Sequence, residues 1–214
     1  MVHSFTAEPA SQDLRHLLEE QYSGRMLHSF ASGETVDMGP QDVWVVCRGI
    51  VQVGTLYTTG DEALLGLVYP SMPFGLPFTL IRPYQAIALT NIDVMKLSLA
   101  EVEQSPLLSQ SLFHHLNRRL RQTEALLAMV GYRRVEERLR HLLLLLAQEI
   151  GQPQGSGTRL TVRLTHQQLA NTVGTTRVTV TRLLSQMRAS EWLSLDRQRH
   201  IVLSESALRS LNQI

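Results

Sequence analysis

Between Leu164 and Met187 the chain reads LTHQQLANTVGTTRVTVTRLLSQM, a stretch in which arginines and threonines recur among apolar residues. A guanidinium can donate two parallel hydrogen bonds to guanine, and a threonine methyl can pack on thymine, so this set suits base-edge recognition. Thr165 stands where a helix N-cap should be, and Leu169, Ala170 and Val173 give a first helix its apolar stripe. Gly174 supplies a tight turn. In the second helix Val178, Val180, Leu183 and Leu184 are expected to point inward, leaving Thr175, Thr176, Arg177, Thr179, Thr181 and Arg182 polar. A plain helical hairpin with solvated arginines would need none of this agreement between cap, turn and polar face. The spacing therefore predicts a helix-turn-helix whose second helix enters the major groove of double-stranded DNA.

Further on, Leu193 to Leu195 and His200 to Leu203 flank Asp196-Arg197-Gln198-Arg199, the pattern of a basic hairpin or wing. Arg197 and Arg199 there would meet phosphates, contributing salt-dependent affinity rather than sequence choice. The net charge of +1 hides an asymmetry. Residues 1–100 hold five Lys or Arg against ten Asp or Glu, and residues 160–214 hold seven against three. The basic end is the DNA end.

Other chemistries find little support. The sequence offers no nucleophile paired with a base, no phosphate loop and no paired acids, so no catalytic residue is assigned and an enzyme is not expected. Cys47 is the only cysteine and reads as a small buried hydrophobe; the histidines are scattered, with His114 and His115 adjacent and so pointing apart on a helix. No metal site is expected. No apolar run is long enough to span a membrane and no signal-like segment opens the chain, which implies a cytoplasmic protein without a membrane partner.

These reading groups need a scaffold, and 214 residues suffice for two modest cores. A short polar helix is expected near Asp13 to Tyr22. Short runs follow at Met26 to Phe30, Glu34 to Asp37, Val43 to Val46, Ile50 to Leu56, Ala63 to Tyr69, Gln85 to Leu89 and Val94 to Leu97. With glycine and proline between them they predict a small barrel or double-sheet roll. A long helix spans about Ser109 to Val130, and Leu116, Leu120, Thr123, Leu127 and Val130 recur at steps of four and three. Beside a DNA-reading unit, that seam points to a homodimer on a two-fold site. A hinge is expected at Val130 to Tyr132, then a helix from Arg134 to Ile150, a flexible link over Gly151 to Gly157 and a strand at Leu160 to Leu164. The expected domains are residues 1–108, a sensor roll; 109–132, the dimer helix and hinge; and 133–214, the DNA-binding part.

This order of parts resembles the Crp/Fnr superfamily of bacterial transcription regulators. Phe30-x-x-Gly33-Glu34, Val45-Val46-x-x-Gly49 and Phe74-Gly75 match its roll, and the helix-turn-helix matches most specifically. The resemblance implies an α+β fold: an N-terminal double-stranded β-roll of the cyclic-nucleotide-binding type, a long dimerisation helix and a C-terminal winged helix-turn-helix. RNA polymerase would be a partner if the protein activates. Within the superfamily, Thr176 to Leu184 is most similar to the NtcA group of cyanobacterial nitrogen regulators, which implies a GTA and TAC palindrome with half-sites about eight base pairs apart. Cyclic-AMP-responsive members carry a glutamate at the position of Val178; valine cannot accept from cytosine, so the operator should differ there.

The cyclic-nucleotide clamps of the superfamily are absent, since Leu76-Pro77 follows Phe74-Gly75 and Tyr84-Gln85 precedes Ala86. Cyclic AMP is not expected. The NtcA group binds 2-oxoglutarate, and the resemblance carries its pocket onto Phe74, Gly75, Leu76, Arg82, Arg119 and Glu124. The stretch before Arg82 is shorter than in that group and contains Pro77, so an effector-independent or partner-controlled paralogue stays open beside a 2-oxoglutarate sensor.

Overall fold

The computed structural model describes residues 24–209; the helix expected near Asp13 to Tyr22 lies outside them. Seven short strands come first: β1 (Leu27–Phe30), β2 (Asp42–Arg48), β3 (Val51–Leu56), β4 (Glu62–Val68), β5 (Pro73–Phe74), β6 (Gln85–Ala88) and β7 (Ile92–Ser98). They form one sheet ordered β1-β7-β2-β5 and another ordered β4-β3-β6. Two sheets with antiparallel pairing are the expected roll.

Alternation explains how one sheet serves two cores. On β2 and β7, Val43, Val45, Met95 and Leu97 are buried in one cluster with Val102 of helix α1 (Leu99–Gln104) and Leu108 and Leu112 of helix α2 (Pro106–Val130). The intervening Trp44, Val46, Ile92 and Val94 are buried as well. A strand buried on both faces reads as the continuous apolar run seen at residues 43–46. Cys47 is half-buried against the same cluster rather than fully inside it. Glu34 to Asp37 is not a strand: it makes only an isolated bridge, Thr35 to Ile87, just after Gly33 with its positive φ of 94°.

After α2, Gly131 and Tyr132 turn the chain, their N–H groups donating to Ala128 and Met129. Tyr132 stacks on His141 of helix α3 (Val135–Ile150) at 4.1 Å. The stretch read as a flexible link is instead a hairpin, β8 (Gly151–Gln154) and β9 (Gly157–Leu160), turning at Gly155 with φ 59°. Its strands lack apolar alternation, so the ladder is carried by backbone hydrogen bonds. The expected strand ends at Leu160, and residues 161–164 lie outside it. Next come α4 (His166–Val173), α5 (Arg177–Ala189), β10 (Leu193–Leu195), β11 (Ile201–Ser204) and α6 (Glu205–Arg209). The last sheet is ordered β10-β11-β9-β8, with Pro153 on its edge strand, where a missing donor costs no ladder bond.

The described chain divides into two compact units. One runs to Thr58 and resumes over Leu65–Thr123; the other joins Thr59–Leu64 to everything from Glu124 onward. Helix α2 thus changes unit after Thr123. No helix among the described residues is long and apolar enough to cross a membrane.

Candidate nucleic-acid interface and sensor loop

The helix-turn-helix is built from local hydrogen bonds. Thr165 caps α4 in a reciprocal box: its hydroxyl accepts from the Gln168 N–H at 3.1 Å, and its own N–H donates to the Gln168 side chain at 2.8 Å. Such a box satisfies two N–H groups that the helix start would leave unpaired. Leu169, Ala170 and Val173 are buried, and Gly174 closes the helix in the left-handed region at φ 64°. Thr176 then caps α5, accepting from the Thr179 N–H.

Helix α5 buries Val180, Leu183, Leu184 and Met187. Its outer side shows Arg177, Val178, Thr181, Arg182 and Ser185, all exposed and spaced to share one face. Val178 is 78% exposed, so the expectation that it points inward is overturned. The reason is positional. Two residues back from Val180 is about 200° around the helix, which places Val178 opposite the buried stripe. Its apolar side chain joins the exposed row.

The wing is pinned from beneath. Arg159 on β9 donates from Nε to Asp196 at 2.6 Å, and Asp196 also accepts from the N–H groups of Gln198 and His200, each at 2.8 Å. Burial alone would raise the Asp196 carboxyl, but Arg159 and the backbone donors outweigh it and hold the pKa to about 2. Arg197 and Arg199 stay exposed around this clamp, Arg199 with φ 64°. A carboxylate inside the loop and two guanidinium groups outside it suit a phosphate-facing tip.

In the first unit, α2 meets the roll through polar side chains. Gln122 is buried; its Oε1 accepts from the Leu67 N–H at 2.8 Å, and its Nε2 donates to the Tyr69 hydroxyl at 3.4 Å. Arg119 donates to the Pro73 carbonyl at 3.3 Å, beside buried Phe74. Gly75 has φ 145°, and a Cβ there would collide with the Asp42 carbonyl, so no other residue fits. Leu76 opens a single 3-10 turn, Leu76–Phe78. Arg82 is exposed and donates to the carbonyls of Thr79 and Ile81, folded onto its own loop. Glu124 is exposed on the part of α2 in the second unit. His115 is buried with no hydrogen-bond partner for Nε2 among the described residues; burial, then the charges of Arg118 and His114, pull its pKa down to about 4.

Residues 137–211 match the family of Crp-like helix-turn-helix domains. A global nitrogen regulator from Synechocystis sp. is 31% identical over 176 residues, covering 78% of this chain and 78% of the relative. The chain belongs to the Crp/Fnr superfamily of transcription regulators. A second relative, the regulatory protein CysR of Synechococcus elongatus, is 35% identical over 72% of each chain. A CRP-family regulator from Thermus thermophilus shares the fold, with TM-score 0.73 and 22% identity over 87% of this chain and 97% of that one. The protein is a DNA-binding transcription regulator rather than an enzyme.

Within this Crp/Fnr regulator, the structure brings Arg177, Val178, Thr181 and Arg182 onto one face of α5, with Thr176 at its cap, Thr175 half-buried before it and Thr165 at the start of α4. Arg119 reaches the Phe74-Gly75 loop, whereas Arg82 turns to its own carbonyls. Sequence reasoning missed Gln122, Arg159 and His166, whose Nδ1 lies 2.8 Å from the Thr181 hydroxyl. Gln122 did carry a signal. It falls on a second heptad series with Leu108, Leu112, His115, Leu126 and Met129, all buried and out of step with the exposed seam.

Proposed function

We propose that the protein regulates transcription as a homodimer that places two copies of α5 in successive major grooves of a GTA-N8-TAC-like palindrome. The observation that carries this reading is the exposed row Arg177, Val178, Thr181 and Arg182 on a helix capped and buried on its other side. Arginine and threonine supply hydrogen bonds and methyl contacts to base edges, while Arg197 and Arg199 add phosphate contacts. The dimer reading draws on α2, where Phe113, Leu120, Leu127 and Val130 stay exposed although the other apolar series is buried. A long helix with two apolar edges has one left for a partner. Gel shift tests the proposal: the palindrome should be bound well ahead of scrambled DNA, and equal affinity for both would refute specific readout.

For control we propose a small dianion of the 2-oxoglutarate class, held near Arg119 and the Phe74-Gly75-Leu76 loop, with Arg82 as a further contact. The support is a relative named for nitrogen regulation and the guanidinium at that loop. Binding would favour one placement of the paired α2 helices and so one spacing of the α5 pair. A tenfold preference for the DNA-competent state corresponds to about 1.4 kcal/mol. A second reading, an effector-independent or partner-controlled regulator, draws on Gln122 and Arg82, whose polar groups already have partners in the chain. Titration calorimetry separates them. Heat from 2-oxoglutarate that vanishes in Arg119→Ala supports the sensor, and no heat supports the second reading.

A further inference from the structure

One hydrogen bond ties the first helix of the motif to the reading row of the second. The Thr181 hydroxyl lies 2.9 Å from the Arg177 carbonyl and 2.8 Å from His166 Nδ1. A hydroxyl has a single proton, and a carbonyl can only accept, so that proton goes to Arg177. The Thr181 oxygen must then accept from His166, which fixes the imidazole proton on Nδ1. No carboxylate occurs between His166 and Ala189 to compete for it.

We propose that His166 is a positioning residue for base readout. A helical threonine divides between two rotamers because its hydroxyl can bond the carbonyl one turn back in more than one way. Donation from His166 selects one of them. The Thr181 methyl is then aimed at a fixed point of the reading face before DNA arrives, and its oxygen keeps a donor after DNA excludes water. Pre-set geometry of this kind favours the matching base without adding contacts to every sequence.

The inference rests on α5 being the element that reads DNA, so its test carries a control for that reading. Full-length variants are compared by competition binding against operators changed one base pair at a time, with scrambled DNA as reference. His166→Ala should lower preference at one base pair of each half-site by roughly three- to tenfold while leaving affinity for scrambled DNA unchanged. His166→Asn, whose amide N–H takes the place of Nδ1–H, should restore the preference; His166→Gln, which reaches toward the Nε2 position, should not. Thr181→Val should show the same loss, and adding His166→Ala to it should cost nothing more. Unchanged preference in His166→Ala, a loss spread evenly over all sequences, or equal rescue by Asn and Gln would each overturn the proposal. If Arg177→Ala also left every preference untouched, the assignment of α5 as reader would fall with it. If Arg177→Ala alone altered preference, only the role of His166 would fall.

Discussion

The two ends of the molecule hold their polar groups in opposite ways. Around the helix-turn-helix and wing most anchoring bonds are short in sequence: Thr165 with Gln168, Thr176 with Thr179, Asp196 with Gln198 and His200; Arg159 to Asp196 and His166 to Thr181 reach farther, over 37 and 15 residues. What they anchor is left exposed. Where α2 meets the roll, Gln122 and Arg119 reach partners 46 to 55 residues away, and the groups that make the contacts are half-buried or buried. The DNA end is a surface set by local turns, able to face a duplex without refolding. The junction of α2 with the roll is set by tertiary packing, and disturbing it should change stability rather than expose a binding group.

That contrast can be broken in four places. The largest effect is expected on α2, where Leu120→Glu with Leu127→Glu places charges on the exposed seam. Sedimentation should move from near twice 24.1 kDa to the single mass, with palindrome binding lost; an unchanged dimer would locate the interface elsewhere. Next is His115. Its folded pKa of about 4 lies below the ordinary 6.5, so the unfolded chain binds the proton more readily. Stability from this group is complete above about pH 6.5 and is lost as pH falls toward 4, in total roughly 3 kcal/mol. Urea unfolding across that window should show the fall, and His115→Leu should flatten it. A fall unaltered by the substitution would show that His115 is not its source.

Smaller changes are expected at the reading surface. Arg177→Ala should weaken the palindrome about 10- to 100-fold and scrambled DNA far less, without moving the melting temperature. A stability loss there would make the two ends alike. Smallest is Arg199→Ala at the wing tip, which should weaken all duplexes evenly and lower the slope of affinity against salt by about one ion. A sequence-dependent loss would promote the wing from phosphate contact to readout.

The same contrast explains what could be read from the chain. The helix-turn-helix, the wing and the long helix announce themselves through caps, turns and periodic residues lying close together. The hairpin over Gly151 to Leu160 escaped because glycine, glutamine and proline carry no alternation for a backbone-built ladder to display. Val178 was misplaced by judging it on polarity when its distance from Val180 already set it outside. The partners of Gln122, Arg159 and His166 lie 15 to 55 residues away, beyond the reach of any local pattern. At the loop after β5 the Phe74-Gly75 pair was visible, yet nothing nearby shows that Arg82 folds onto a carbonyl of its own loop.

The outward isopropyl group of Val178 has a consequence for epigenetic marks. It carries neither proton nor lone pair, so it can judge a base only by the bulk at its major-groove edge. Thymine and 5-methylcytosine present the same carbon there. In the proposed complex an operator cytosine opposite Val178 should therefore gain affinity on methylation, passing for thymine at this one residue while its amino group goes unread.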